Sequence, residues 1–342
     1  MQNSEFILNY PKDSGFGKSE IFFYSAKVDL KKVFYSPSAI EKKQNRLFVT
    51  DTTIASLSAV KDFVDLFLSS TSSASSLNVK EGSVLQYGND YLLILGPGEK
   101  FKTIESVLKI VKVALEGNFT RQCTFVAIGG GVISDMTAFA ASIFKRGVNV
   151  EFVPTTLLSM VDASVGGKSG CDIEGFKNMI GTFWPATKLY VWSDFVLSLP
   201  EKEYISGLAE AIKTAFLFDK ELLALFEKQK DAVLKRDSAV LEKAIGACVR
   251  AKAAIVEEDF REKGNRAFLN LGHTFGHALE AVAGLGSITH GEAVAWGMGR
   301  AADLALLTSL CSKEYAERTK DILASYGYDT NAYPKVLFQK DK

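Results

Sequence analysis

No proline falls between Pro200 and Pro334, and that gap divides the chain into two kinds of sequence. Proline breaks helix interiors, so a long stretch without it, carrying apolar residues at helical period, can fold as consecutive helices. From Glu201 to about Leu310 the pattern is of this kind, with no clear strand. Before Pro200 the texture is different. Short β-branched and aromatic runs alternate with helical patterns: Arg46–Thr50, Tyr91–Leu95, Thr124–Ile128, Asn149–Val153 and Lys188–Trp192. Strands spaced this way predict a parallel, doubly wound sheet. The fold class is thus α/β, with a parallel-sheet domain over 1–195 and an all-helical domain over 196–342, the punctuation lying in SDFVLSLP. The serine-rich stretch Ser69–Ser76 predicts a surface loop, and Ala293–Cys311 a buried helix despite Arg300 and Asp303. No internal repeat is evident. Two domains suit 342 residues and leave room for a cleft between them, a common place for a ligand.

Composition narrows the function. At 47% hydrophobic and 23% charged residues the chain can bury a sizeable core, which excludes disorder as the default. Lys plus Arg and Asp plus Glu each total 40, so no global field draws it to nucleic acid or an anionic membrane. Cys123, Cys171, Cys248 and Cys311 form no C-x-x-C pair, which argues against a zinc ribbon and for free thiols in a reducing compartment. The segment MQNSEFILNYPKDSGFGKSE lacks the apolar centre of a signal peptide, and no apolar run reaches membrane-spanning length. A cytoplasmic protein is expected.

The three histidines, His273, His277 and His290, are clustered. In GHTFGH the i, i+4 spacing puts His273 and His277 on one helix face, so two imidazoles can point into one cavity. Neutral imidazole is a common zinc ligand, and a carboxylate is a frequent third. Thr274 stands where the H-E-x-x-H protease motif has its glutamate, so that motif is absent. Glu210, in the apolar segment GLAEAIK with Lys213 at i+3, is the best carboxylate. A surface Glu–Lys pair and core histidines would have the same spacing.

IGGGVISD, residues 128–135, follows an expected strand and opens a helical pattern, so its glycines could let backbone N–H groups approach a pyrophosphate. An ordinary tight strand-to-helix turn would read the same way. PTTLLSMVDASVGGKSG adds Thr155, Thr156, Asp162 and Lys168 beside paired glycines, and GFKNMIGTFWP places Lys177 and Asn178 in another loop. Lysines in such loops suit phosphate or carboxylate, though singly each is more often a solvated charge. Lys252, Arg266 and Asn270 form a further set. Arg266 would stand about two turns from His273 if one helix ran through both, a fork-shaped cation apt for a carboxylate. Otherwise it is a surface arginine.

Taken in order, IGGGVISD, KRG, VPTTLLSMVDASVGGK, KNMIG, LPEKEYISGLAEAIK, NRAFLNLGHTFGHALE and HGEAVAWGM resemble the 3-dehydroquinate synthases, from about Asp51 to Met298. Several blocks also occur in cyclases of other sugar phosphates. The resemblance implies a Rossmann-like NAD-binding domain, a helical domain, a catalytic Zn²⁺ or Co²⁺, and a homodimer. It implies metal ligands at Glu210, His273 and His290, leaving His277 for phosphate and proton transfer. NAD contacts would be Asp51, Glu99 and Lys102, then Gly131, Val132, Ile133, Ser134 and Asp135. Thr155, Thr156, Lys168 and Lys177 would join them, as would Phe195, Ser198, Leu199 and Glu203. Substrate contacts would fall on Arg146, Asp162, Lys168, Asn178, Lys213, Lys252, Arg266 and Asn270, with Arg146 reaching the neighbouring subunit's site.

The reaction implied turns 3-deoxy-D-arabino-heptulosonate 7-phosphate into 3-dehydroquinate and phosphate, in the shikimate pathway to aromatic amino acids. Its steps are oxidation by NAD, phosphate elimination, return of the hydride and aldol closure. The sequence departs from the family at Thr53, often Asn, at Ala138–Ala141, which reads AFAA for GFAA, and at KVLFQKDK, where Lys342 is the match to a tail lysine. Three rivals stay open: another sugar-phosphate cyclase, against which Arg266 and Asn270 argue; an iron-type alcohol or glycerol dehydrogenase; and a homologue that only binds.

Overall fold

The computed structural model describes residues 4–25, 27–36, 45–70, 79–174, 176–284 and 286–338. Two compact units emerge, Met1–Ser198 and Leu199–Lys342.

The first unit is built on an eight-stranded sheet in the order β1-β2-β10-β7-β6-β3-β5-β4. Its strands are β1 Ser4–Asn9, β2 Lys18–Tyr24, β3 Arg46–Asp51, β4 Val84–Tyr87, β5 Asp90–Leu95, β6 Thr124–Gly129, β7 Asn149–Pro154 and β10 Lys188–Trp192. Every neighbouring pair from β2 to β5 is parallel, and only the outermost pairs, β1 with β2 and β5 with β4, are antiparallel. The central strands read as unbroken apolar runs because both faces are covered: all six residues of β6 are buried. Helices Ser58–Ser69, Ile104–Glu116 and Gly131–Ile143 supply cover, and Phe34, Phe48, Phe63 and Phe67 interlock edge-on or tilted in the core.

All five expected strands are present. The edge strands β1 and β4 and the strand β2 beside β1 were not foreseen, nor was the hairpin of β8, Lys168–Ile173, with β9, Phe176–Phe183. That hairpin corrects the reading of Lys168, Lys177 and Asn178 as loop residues: Lys168 opens β8 and the other two lie in β9. Its glycines serve close strand approach, since a Cβ on Gly170 would stand 2.4 Å from the Ile180 carbonyl oxygen.

Among the described residues the second unit has no strand. Its helices include Glu201–Phe218, Ser238–Glu258, His273–Ala283 and His290–Leu307. The last is buried only over its first part, and Leu304 and Leu307 are exposed, which corrects the expectation of a buried helix to Cys311. Of the serine-rich stretch, Ser69 ends a helix and residues 71–76 lie outside the described residues, as does Lys342. The four cysteines are free thiols, and no helix is long and apolar enough to cross a membrane.

Candidate functional site

Each unit carries a polar cluster that contains expected site residues. In the helical unit the middle of Glu201–Phe218 is buried, and with it Glu210 and Lys213, each 1% exposed. Lys213 Nζ pairs with Glu210 Oε2, as a carboxylate in such a setting requires. The other oxygen, Oε1, lies 3.5 Å from His290 Nε2 and 3.7 Å from His273 Nε2. Ligand atoms held tetrahedrally at about 2.0–2.1 Å from an ion stand about 3.3 Å apart. Both distances to the carboxylate oxygen are thus close to that spacing, all three ligand atoms lie within 4.8 Å of one another, and one carboxylate with two imidazoles is a donor set of the catalytic zinc kind.

Local sequence sets this geometry. Gly272, at φ +82°, separates the short turn Asn265–Asn270 from the helix that begins at His273, so Arg266 and His273 do not share one continuous helix. His290 opens its own helix behind a capping box in which Thr289 and Glu292 satisfy each other's backbone. Next to it, Gly291 N–H donates to Ser206 Oγ at 3.1 Å, and a Cβ on Gly291 would stand 2.0 Å from the Ser206 carbonyl oxygen. Only glycine lets this helix start seat directly on the helix that holds Glu210.

The two imidazoles are in opposite states. Burial pushes His273 down to about 4, with Lys213 and His290 acting in the same direction against Glu210. Burial also opposes a charge on His290, but the carboxylates of Glu210 and Glu280 outweigh it and hold that ring up at about 9. His273 Nδ1 faces the Leu271 carbonyl oxygen at 3.3 Å and His290 Nδ1 faces Glu280 Oε2 at 3.5 Å. His277 is exposed, its ring 5.3 Å from that of His273. The i, i+4 pair is thus not the pair that meets Glu210.

Lys252 and Arg266 are buried too, at 6% and 1% exposure, on elements that pack against the Glu210 helix and each other. The guanidinium of Arg266 donates to the Phe260 carbonyl at 2.5 Å, so it is no surface arginine. Asn270 is exposed and donates to Glu262 at 2.6 Å.

In the sheet unit, β6 ends at Gly129 and the helix Gly131–Ile143 begins after Gly130. Packing explains part of this glycine run: a Cβ on Gly129 would meet Ile133 Cβ at 2.7 Å. The turn also presents the amides of Gly131, Val132 and Ile133 at a helix start, where anions bind. Around it the hydroxyls of Ser134, Thr155, Thr137 and Ser164 are buried without a hydrogen-bond partner. Thr156 instead caps the π-turn Ser159–Ala163, which contains Asp162, by accepting from Ser159 N–H at 3.1 Å.

Asp51 ends β3 and accepts from the amides of Thr53 and Ile54 at 2.8 and 3.0 Å, while burial raises its pKa. Lys102 Nζ reaches Asp135 Oδ2 at 2.7 Å and Asn178 Oδ1 at 2.6 Å. Burial opposes the charge on Lys102, and Asp135, Glu99 and Asp172 overcome it, raising its pKa. Asn178, itself at φ +55°, donates its amide to Asp172 at 2.8 Å. Lys168, Lys177 and Glu99 are exposed. Arg146 is exposed in left-handed backbone, at φ +69° after Lys145 at +47°, a conformation that costs energy in a non-glycine residue. Phe195 is core, edge-on to Trp192, and Ser198 Oγ donates to its carbonyl at 2.7 Å. Leu199 and exposed Glu203 belong to the helical unit, where the Leu199 carbonyl accepts from Arg236 at 2.7 Å. Among the cluster residues not singled out from sequence are Glu280 and Glu292. Their signals were HALE, one turn beyond His277, and the capping pattern THGE.

The fold is that of solved sugar-phosphate cyclases. One is a 2-deoxy-scyllo-inosose synthase complexed with carbaglucose-6-phosphate, NAD⁺ and Co²⁺: TM-score 0.78, 22% identity, covering 97% of this chain and 85% of that one. Another is 2-epi-5-epi-valiolone synthase from Streptomyces hygroscopicus subsp. jinggangensis 5008 with NAD⁺ and Zn²⁺: TM-score 0.76, 24% identity, covering 94% and 84%. Sequence goes further. Residues 92–206 match the 3-dehydroquinate synthase N-terminal model and 207–340 the C-terminal one. A 3-dehydroquinate synthase of Acinetobacter baumannii (strain AYE) is 47% identical over 230 residues, which are 67% of this chain and 64% of the relative. The chain belongs to the 3-dehydroquinate synthase family.

Proposed function

We propose that this chain is a 3-dehydroquinate synthase: it closes the seven-carbon keto-acid phosphate 3-deoxy-D-arabino-heptulosonate 7-phosphate to 3-dehydroquinate with release of phosphate. One observation carries the reading. Among the described residues of the helical unit, the buried charged side chains are Glu210, Lys213, Lys252 and Arg266, on elements that pack against one another, and Glu210 Oε1 lies 3.5 and 3.7 Å from two imidazoles. Lysine and arginine side chains gathered in one buried region suit an anionic ligand, and a substrate with a carboxylate and a phosphate is such an anion. The 3-dehydroquinate synthase relatives support the same substrate.

Glu210, His273 and His290 would hold Zn²⁺ or Co²⁺, and the amides of Gly131–Ile133 with the hydroxyls of Ser134 and Thr155 would hold NAD. When bound, NAD takes up and returns one hydride in each turnover, and the ion supplies Lewis acidity. The residues of the chain do the rest. Lys213 holds Glu210 Oε2, which leaves Oε1 turned to the histidines. Lys252 and Arg266 supply charge for the substrate's anionic groups, Arg266 with a planar fork that matches a carboxylate. His277, exposed one turn after His273, would serve the phosphate and a proton transfer. The protein's part in ring closure is to hold the two reacting ends in one conformer.

A homodimer belongs to this reading, and the strained, exposed Arg146 is the residue offered to a partner copy. Free thiols and a balanced charge support a cytoplasmic location, with neither nucleic acid nor membrane as partner. The test is phosphate release from the keto-acid phosphate with NAD, with and without a chelator. Expected are release that chelation abolishes and no net NADH. Accumulating NADH would make the protein a dehydrogenase, and NAD binding with no phosphate release would leave it a binding homologue.

A further inference from the structure

His290 faces two carboxylates with its two ring nitrogens. Nε2 points to Glu210 Oε1 and Nδ1 lies 3.5 Å from Glu280 Oε2. Glu280 sits on the helix His273–Ala283, two turns beyond His273, and its side chain is only 13% exposed. Its approach to His290 is built into the packing of the two helices. A Cβ on Gly276 would stand 2.8 Å from the Ala293 carbonyl oxygen, so the glycine lets the helices close to backbone contact just where Glu280 must reach across.

We infer that Glu280 is a positioning residue for the metal centre: it accepts the Nδ1–H of His290, fixing the tautomer and the ring plane so that the Nε2 lone pair is aimed beside Glu210. An imidazole can ligate through one nitrogen only if its proton sits on the other, and an acceptor at that second position decides the tautomer. The two histidines are oriented differently. His273 has a fixed backbone acceptor, the Leu271 carbonyl, at 3.3 Å. His290 begins a helix and relies on a side chain from another element. A carboxylate there also increases the electron density that the ring donates to an ion. Glu280 is therefore the point at which the centre is tuned without touching a ligand atom directed at the ion.

The inference rests on the metal assignment above, so the test separates the two. Protein loaded with one equivalent of Zn²⁺ is mixed with excess chromophoric chelator, and the release rate is followed. Release starts from the loaded site, so proton competition in the empty protein does not enter. Glu280→Ala is expected to release zinc about 10–100-fold faster than wild type, as loss of such an acceptor does elsewhere. Glu280→Gln, whose amide oxygen can still accept the Nδ1–H, should fall between. The Co²⁺-loaded Ala variant should show a shifted visible spectrum, which a purely structural role would not produce. Thermal unfolding of the metal-free variants and their NAD affinity check that the fold stands. Equal release rates for wild type and Glu280→Ala overturn the inference. So does a wild type that binds two zinc ions and an Ala variant that binds one, because Glu280 would then be a ligand in the second group formed by His277, Glu280 and His290. If wild type binds no zinc at all, the metal assignment itself fails.

Discussion

The two clusters meet the problem of buried polarity in opposite ways. Around the glycine turn, among the described residues, the buried groups without partners are neutral hydroxyls, and the buried cation Lys102 is clasped by Asp135 and Asn178. In the helical unit the buried polar groups include the charged side chains Glu210, Lys213, Lys252 and Arg266. A neutral hydroxyl left alone costs about 1–3 kcal/mol, whereas a buried charge without compensation costs several. The first cluster is thus suited to recognition by hydrogen bonds and shape, the second to recognition by charge. Removing a proposed metal ligand from the second should therefore have the largest effect. His273→Ala deletes an imidazole without stranding Lys213, which keeps Glu210. Phosphate release should fall on the order of 10³-fold or more, the several kcal/mol that a metal ion supplies. Thermal unfolding of the chelated protein and NAD affinity should barely change. Retained phosphate release in this variant would dissolve the distinction between the clusters.

How far this contrast could be read from sequence depended on the kind of signal. β6 and its parallel neighbours were legible because strands covered on both faces must be apolar throughout. The hairpin of β8 and β9 was hidden by its glycines, which look like loop residues but allow strands to touch at Gly170 and Gly181. Spacing also mispaired the histidines. GHTFGH suggests His273 with His277, yet the ring that joins His273 at Glu210 comes from the next helix. No local period can express such a meeting, and it was the family resemblance that singled out His290. Burial was equally invisible: nothing local to Arg266 tells a surface arginine from one that is 1% exposed.

A gentler way to sharpen the comparison is to change protonation rather than atoms. In the metal-free protein His290 is held up at about 9, above the ordinary 6.5, so it carries a proton at pH 7 that an ion must displace. The sign is then fixed. Between about pH 6.5 and 9 zinc affinity should rise about tenfold per pH unit, and it should level off above pH 9. Calorimetry in buffers of different ionisation enthalpy should count one proton released per ion. The metal-free fold should respond the other way. Its share of stability from charged His290 is complete below pH 6.5 and is lost as pH rises through 9. NAD affinity, if the hydroxyls and the clasped lysine of the first cluster hold the nucleotide as proposed, should be nearly flat over the same range. Zinc affinity that ignored pH would mean that the carboxylates do not hold a proton on His290.

The smallest change tests the first cluster on its own terms. Ser134 is 1% exposed and its hydroxyl has no partner, so Ser134→Ala removes a desolvated polar group and opens almost no space. On packing grounds alone the variant should be as stable as wild type or more stable, by up to about 1 kcal/mol. If the hydroxyl is kept for a nucleotide, that gain appears only in the NAD-free protein, and NAD binding weakens by about 5-fold, the worth of one neutral hydrogen bond. Stability and affinity would then move in opposite directions, an outcome that a merely structural serine does not give. A variant with unchanged NAD affinity would leave the glycine turn as the tight strand-to-helix connection that its packing against Ile133 already explains.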